Sequence, residues 1–337
     1  MAALLAALEV GASLLGCGPS AALADAANSQ QPVYAPFEVN GNLQAAEGGL
    51  TDADNNLVRM GFKDFDERRL ESAEKEFSLA LARWQELKRP RDEIVSLLKA
   101  RANARLDGKR FPEAMEDLDK AIALMSDGEK EDGRGRYPEY ADAIVNRGLA
   151  HEGLGDWSGA LEDYDHAVRL WGGGRSDNVN PFVLAYRSNV LSKLGRFDEA
   201  LLDSAAAGDL FLQLRDLDRF SDAKANYALN LYALDRRDEA VKAFKIVTAK
   251  NPGYADARVA LAVDSWDRGD YIKALKQWDF VCNEISVGCD KYADREWVRV
   301  VRRWPENLVA KLEAFLDRKV SPELEAGSES GKRLKKL

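Results

Sequence analysis

The 337-residue sequence predicts an all-α fold, a right-handed superhelical solenoid of about six helix-turn-helix hairpins with a C-terminal capping helix. Three observations predict it. From Asn55 onward the chain is helix-forming and carries no strand pattern. A fixed set of small and aromatic residues recurs along it, which is the mark of a stacked array. A content of 46% hydrophobic and 31% charged residues is that of a folded, water-compatible body.

The clearest copy is Ala141 to Trp171: Gly148 lies mid-way along a first helix, Gly155-Asp156-Trp157 makes the turn, and Ala160, Tyr164 and Ala167 follow at helical spacing. Each choice has a steric cause. The small pair lets two helices approach closely, the aromatic fills the gap above them, and the last small residue admits the next hairpin. The first copy, starting near 54, has Gly61, Ala73, Phe77 and Ala80, and the second, near 95, has Ala102, Ala114, Leu118 and Ala121. After the third copy at 141 come Ser188, Gly195, Phe197, Ala200 and Ala207 from near 181. Ala228, Ala240, Phe244 and Pro252 follow from near 221, then Ala262, Gly269, Tyr271, Ala274 and Trp278 from near 255. Arg147 and Arg187 stand at first-helix positions that are usually apolar, and Ser204 replaces the aromatic, so the fourth copy is the least regular. The array spans 54–288. Capping helices are expected over 289–320, where Trp304-Pro305 breaks the chain and Leu308, Leu312 and Phe315 recur on one face; 321–337 reads as a polar tail.

This pattern resembles the tetratricopeptide repeat (TPR), with several copies longer than the family's usual length of about 34 residues. The extra residues are expected around Ser126-Asp127-Gly128 and Gly172-Gly173-Gly174-Arg175. The resemblance implies that the first helix of each hairpin, helix A, lines a concave wall where a protein segment binds. Four asparagines recur there, Asn103, Asn146, Asn189 and Asn226. A carboxamide offers a donor and an acceptor together and so matches a peptide bond; the same residues can instead bond neighbouring helices. Lys99, Asn103 and Asn146 fit three of the five positions of the carboxylate clamp by which some family members hold a chaperone's C-terminal tail, whereas Phe182 and Tyr186 stand where its other two cations belong. Phe62, Phe65, Tyr186, Tyr232 and Trp266 are candidates for an aromatic lining, with packing inside each repeat as the other reading.

Composition excludes several classes of function. A formal net charge of −9 disfavours a diffuse grip on nucleic acid. Two histidines and three cysteines are too few for a Cys/His metal site or a His-centred catalytic machine. No Gly-rich phosphate loop is present, and pairs such as Asp64/Asp66 and Asp117/Asp119 read as solvated helix faces. The expectation is a non-enzymatic interaction scaffold without a cofactor, its partner a protein or peptide; alternatives are a co-chaperone or a subunit of a helical-hairpin enzyme such as a protein prenyltransferase.

The ends speak to compartment. Residues 1–24 pair an apolar run with Ala22-Leu23-Ala24, as in a cleaved export or thylakoid-transfer signal, followed by a linker over 25–53. Leu14-Leu15-Gly16-Cys17 also looks like a bacterial lipobox, and the absence of a basic residue before Arg59 weighs against both readings. Cys282 and Cys289 form a disulfide in an oxidising compartment or stay as two buried thiols in a reducing one. Gly288-Cys289-Asp290-Lys291-Tyr292, with Trp297 and Arg303-Trp304-Pro305, is similar to the C-terminal block of plant and algal chloroplast TPR proteins. That resemblance implies a thylakoid location, lumenal by the acidic charge and the cleavage site, and photosystem subunits or assembly factors as partners. A bacterial periplasmic protein or lipoprotein is the alternative.

Overall fold

The computed structural model describes residues 49–126, 140–171, 179–285 and 288–319. The expected signal, most of the linker and the tail lie outside these. The described chain is helical, without strands, and its helices pack in sequence as antiparallel hairpins. It divides into two compact units at Gly195–Arg196. Among the described residues no helix is long and apolar enough to cross a membrane.

The first unit holds α1 (Asp52–Asp66) and α2 (Leu70–Glu86), α3 (Arg91–Asp107) and α4 (Phe111–Ser126), α5 (Tyr140–Leu154) and α6 (Trp157–Leu170), then α7 (Pro181–Lys193). Odd-numbered helices as far as α11 are the A helices. α1 starts on a capping box in which the Thr51 hydroxyl accepts from the Asp54 N–H at 3.2 Å and the Asp54 carboxylate accepts from the Thr51 N–H at 2.8 Å. α7 starts on Asn180 with Pro181 at its first position, where a missing N–H costs nothing. Within this unit each A helix before α7 packs on the B helix after it, and each B helix on the next A helix.

The second unit holds α8 (Phe197–Gln213), α9 (Leu217–Ala233), α10 (Arg237–Lys250), α11 (Ala255–Asp267), α12 (Tyr271–Glu284), then the short α13 (Asp290–Ala293) and α14 (Arg295–Val300), and α15 (Glu306–Lys319). Here α9 is the A helix of the fifth repeat and α11 that of the sixth. One core runs from Leu201 to Phe315 and includes Tyr232, Phe244, Trp266, Trp278 and Trp304.

Two devices make the hairpins. The A-to-B turns pass through a left-handed residue, Arg68, Lys109, Gly155, Gly195, Asp235 or Gly269 in turn. In the second hairpin the Arg110 N–H then reaches back to the Arg105 carbonyl at 2.7 Å, the bond that closes a Schellman motif. Half of these turns use a residue other than glycine, which is why glycine alone under-reports them. The second device is the close approach of A and B. A Cβ on Gly61 would fall 2.6 Å from the Phe77 ring, and one on Gly148 2.5 Å from the Tyr164 ring. Small and large residues therefore meet sixteen positions apart, and the same offset relates Ala102 to Leu118, Ala228 to Phe244 and Ala262 to Trp278.

In the fourth repeat that offset relates Ser188 to Ser204, and the boundary between the units falls in this repeat. Buried Ser204 turns its hydroxyl back onto the Ala200 carbonyl at 2.7 Å.

The close approach makes a contrast measurable by urea denaturation. Gly148→Ala is expected to destabilise the first unit by about 1–3 kcal/mol, the usual cost of overpacking. Gly208→Ala, whose new methyl would meet nothing nearer than Ala223 at 3.8 Å, is expected to be neutral or stabilising by up to about 1 kcal/mol.

Candidate functional site

On the A-helix wall of the first unit, Lys99 and Asn103 lie four residues apart on α3 and so share a face. Both are half-buried, while Asn146 on α5 is buried. The structure brings the two amides together: Asn146 Nδ2 donates to Asn103 Oδ1 at 2.8 Å. In that bond Asn103 is the acceptor, through its carboxamide oxygen. Asn189 on α7 and Asn226 on α9 are half-buried and belong to different units.

The aromatic lining is corrected. Tyr186 is buried beside Tyr164 and Phe182, with ring centroids 6.0 and 6.4 Å away. Tyr232 is fully buried, its hydroxyl toward Asp264 at 3.5 Å and the Arg237 guanidinium over its ring. Trp266 meets Tyr271 edge-on at 4.6 Å and Phe315 at 5.2 Å. Phe65 is buried too, whereas Phe62 is 37% exposed and leans edge-on against Phe77. Apart from Phe62 these rings fill repeats, as their size and register demand.

The acidic pairs are corrected as well, because one member of each is buried. Asp117 takes both nitrogens of the Arg101 fork at 2.7 and 2.8 Å and a further bond from Arg105 at 2.8 Å. Asp64 is buried and accepts from Arg69. In the next repeat Arg147 grips Asp163 at 2.7 and 2.9 Å and reaches Asp119 at 2.9 Å, and Arg187 reaches Asp165 at 2.8 Å. Arg101 and Arg147 thus each join their own B helix, sixteen residues on, and Arg147 and Arg187 reach the B helix before them. Hydrogen bonding to Asp163 holds the Arg147 guanidinium even more firmly protonated than usual. Sequence reasoning missed this ladder, and the signal was there in the Arg-to-Asp offset that copies the small-to-large one.

In the second unit, Tyr254 donates to Asp222 at 2.8 Å, and Tyr292 repeats the contact one A helix later, donating to Asp256 at 2.7 Å. Burial pushes the Asp222 carboxyl up to about 7, against the Tyr254 bond and the charges of Arg219 and Arg302. α15 packs across α9 and α11, with Leu308, Val309, Leu312 and Phe315 fully buried. The capping segment therefore lies mainly across A helices, with Phe315 also meeting Trp278 of the last B helix at 5.0 Å. Cys282 and Cys289 are joined by a disulfide. Among the described residues no cluster of three His, Cys, Asp or Glu side chains could hold a metal ion.

No family model matches the chain, and no curated protein does. Solved structures do. A tetratricopeptide repeat protein from Parabacteroides merdae superposes with a TM-score of 0.55 at 16% identity, over 85% of this chain and 98% of its own. The fold is therefore that of a TPR array. The apo form of RapI matches with a TM-score of 0.56 at 10% identity over 80% of this chain and 77% of its own, and aspartyl phosphate phosphatase F from Bacillus subtilis with 0.55 at 13% over 84% and 70%. At these identities the TPR likeness concerns architecture.

Two measurements test the TPR electrostatics. Asp117→Ala leaves Arg101 without its carboxylate, while Arg105 keeps Glu74, and is expected to cost about 3–5 kcal/mol in urea. Asp222 has a folded pKa raised above its ordinary value of 3.8, so its ionisation weakens the fold as pH climbs from about 4 through 7. Asp222→Asn should melt with the parent at pH 4 and several degrees above it at pH 8 by circular dichroism.

Proposed function

We propose that the protein is an interaction scaffold that holds a segment of another protein on its A-helix walls, making and breaking no bond. The observation that carries this reading is the Asn146–Asn103 bond. An asparagine left alone can present either edge to a ligand. Here the bond commits the Asn103 oxygen to Asn146, so what Asn103 would offer a ligand is its amide N–H groups, on a helix face shared with Lys99, and this part of the wall suits hydrogen-bond acceptors such as peptide carbonyls or a carboxylate. A full clamp for a doubly charged chain terminus is not built, because Phe182 and Tyr186 are buried aromatic residues at the positions of its other two cations. A co-chaperone role is thereby disfavoured.

The finer reading is an assembly or maintenance factor for photosynthetic complexes at the thylakoid, on its lumenal side. What supports it is the sequence of the C-terminal block around Cys289, Trp297 and Trp304, together with a disulfide that suits an oxidising compartment.

Asn103→Asp is the test. It keeps the oxygen that accepts from Asn146, and so the fold, but turns the donor edge of residue 103 into an acceptor. In affinity capture from a thylakoid extract, photosystem or assembly-factor subunits should be retained by the parent and lost by Asn103→Asp and by Lys99→Glu. The weakening is expected to be at least ~10-fold, the value of a charge-assisted hydrogen bond. Equal capture by parent and variants, with unchanged circular dichroism, would place the ligand elsewhere.

A further inference from the structure

We propose that the wall made by α9 and α11 is a docking site for an amphipathic helix of a partner protein, kept closed by this chain's own α15 while Cys282 and Cys289 are joined and opened by a dithiol reductant. The proposal rests on the A-helix wall being the interaction surface.

The packing order carries it. In this chain α3 packs on α2, α5 on α4, α7 on α6 and α11 on α10, each A helix on the B helix before it. α15 breaks that order and packs on α11 and α9, both of them A helices. It occupies the place of a ligand. Its contact face is that of a helix in a groove, with apolar anchors at Leu308, Val309, Leu312 and Phe315 and the Phe315 ring edge-on to Trp266 at 5.2 Å and Trp278 at 5.0 Å. The polar ties to the wall sit at the margin: Asn307 Nδ2 donates to the Tyr232 carbonyl at 2.7 Å, and Lys311 Nζ meets Asp267 at 2.6 Å. An incoming helix would need the same apolar spacing and a cation for Asp267.

The disulfide sits at the root of this strap. Cys282 lies in the last turn of α12 and Cys289 caps α13, so the bond pins the point where the chain leaves the last hairpin to return over the wall. Both residues are half-buried. A thiolate of the dithiol attacks one cystine sulfur and breaks the S–S bond, and its second thiol resolves the mixed disulfide. Cys282 and Cys289 leave as two thiols, and the reductant takes the disulfide with loss of two electrons and two protons. The undocked strap then gains conformational freedom that the cross-link had denied it, which favours release.

Hydrogen exchange on the full chain tests this, comparing the oxidised protein, the protein after dithiothreitol, and Cys282→Ser/Cys289→Ser. Exchange over 289–319 should accelerate at least ~10-fold in the last two, with α9 to α12 still protected. A labelled synthetic peptide of residues 305–319 should bind the reduced and double-serine proteins and not the oxidised one. Unchanged exchange, or loss of protection throughout α9 to α12, overturns the proposal; so does peptide binding that ignores the disulfide. Failure of Asn103→Asp to affect capture bears on α3 and α5 and is read separately.

Discussion

Everything in this chain depends on how closely an A helix can approach its B helix. Where Gly148 faces Tyr164 there is no room for a single methyl group, so the pair of helices has one available register. Burying an aromatic ring against bare backbone gains apolar area and dispersion contacts that a side chain on the A helix would forfeit. Because the offset is constant, whatever else lies on the two helices is brought into register as well. Arg101 and Asp117 stand one position before Ala102 and Leu118, and Arg147 and Asp163 one before Gly148 and Tyr164. The ion pairs are thus a consequence of the steric pair. Their carboxylates are too deeply buried to be tolerated without the two-pronged grip they receive.

The end of the chain shows the same logic and then leaves it. Tyr292 reproduces toward Asp256 the contact that Tyr254 makes toward Asp222, as though a seventh repeat were beginning. Arg302 adds its charge to Asp256, and Trp304 enters the core. Pro305 then ends any continuation of the helix, and α15 starts in a new direction across the A helices. A stacked array must cover its last apolar face, and this one does so by folding back over its own wall.

Much of the architecture was legible because a steric rule writes itself into residue size. Gly61, Ala102, Gly148, Ala228 and Ala262 are small for one reason, and a reader who knows the reason finds the hairpins. The fourth repeat was irregular on paper, with Ser204 in the aromatic place, and the division between units falls there. The wall was less legible. Tyr186, Tyr232 and Trp266 were candidates because aromatic residues serve both cores and binding surfaces, and only the three-dimensional register shows that these three are buried. Asp117 looked like part of a solvated face, since a single sequence does not show the arginine that will stand beside it. The direction taken by α15 was not legible, because an apolar stripe says that a helix is covered without saying by what.

The amide pair shows why register matters more to recognition than residue type. Asn103 and Asn146 were both read as adaptable groups, each able to give and accept. Joined by one hydrogen bond, they lose that symmetry: the buried Asn146 spends a donor and the half-buried Asn103 spends its acceptor. In the proposed site what Asn103 would still offer is a donor edge on the helix face of Lys99, which favours a ligand rich in acceptors over one that presents donors. Breaking the pair to suit the second kind of ligand would leave Asn146 Nδ2 buried without a partner, at a cost of about 1–3 kcal/mol. In the proposed site, selection would follow hydrogen-bond polarity and would act through a residue the ligand never touches.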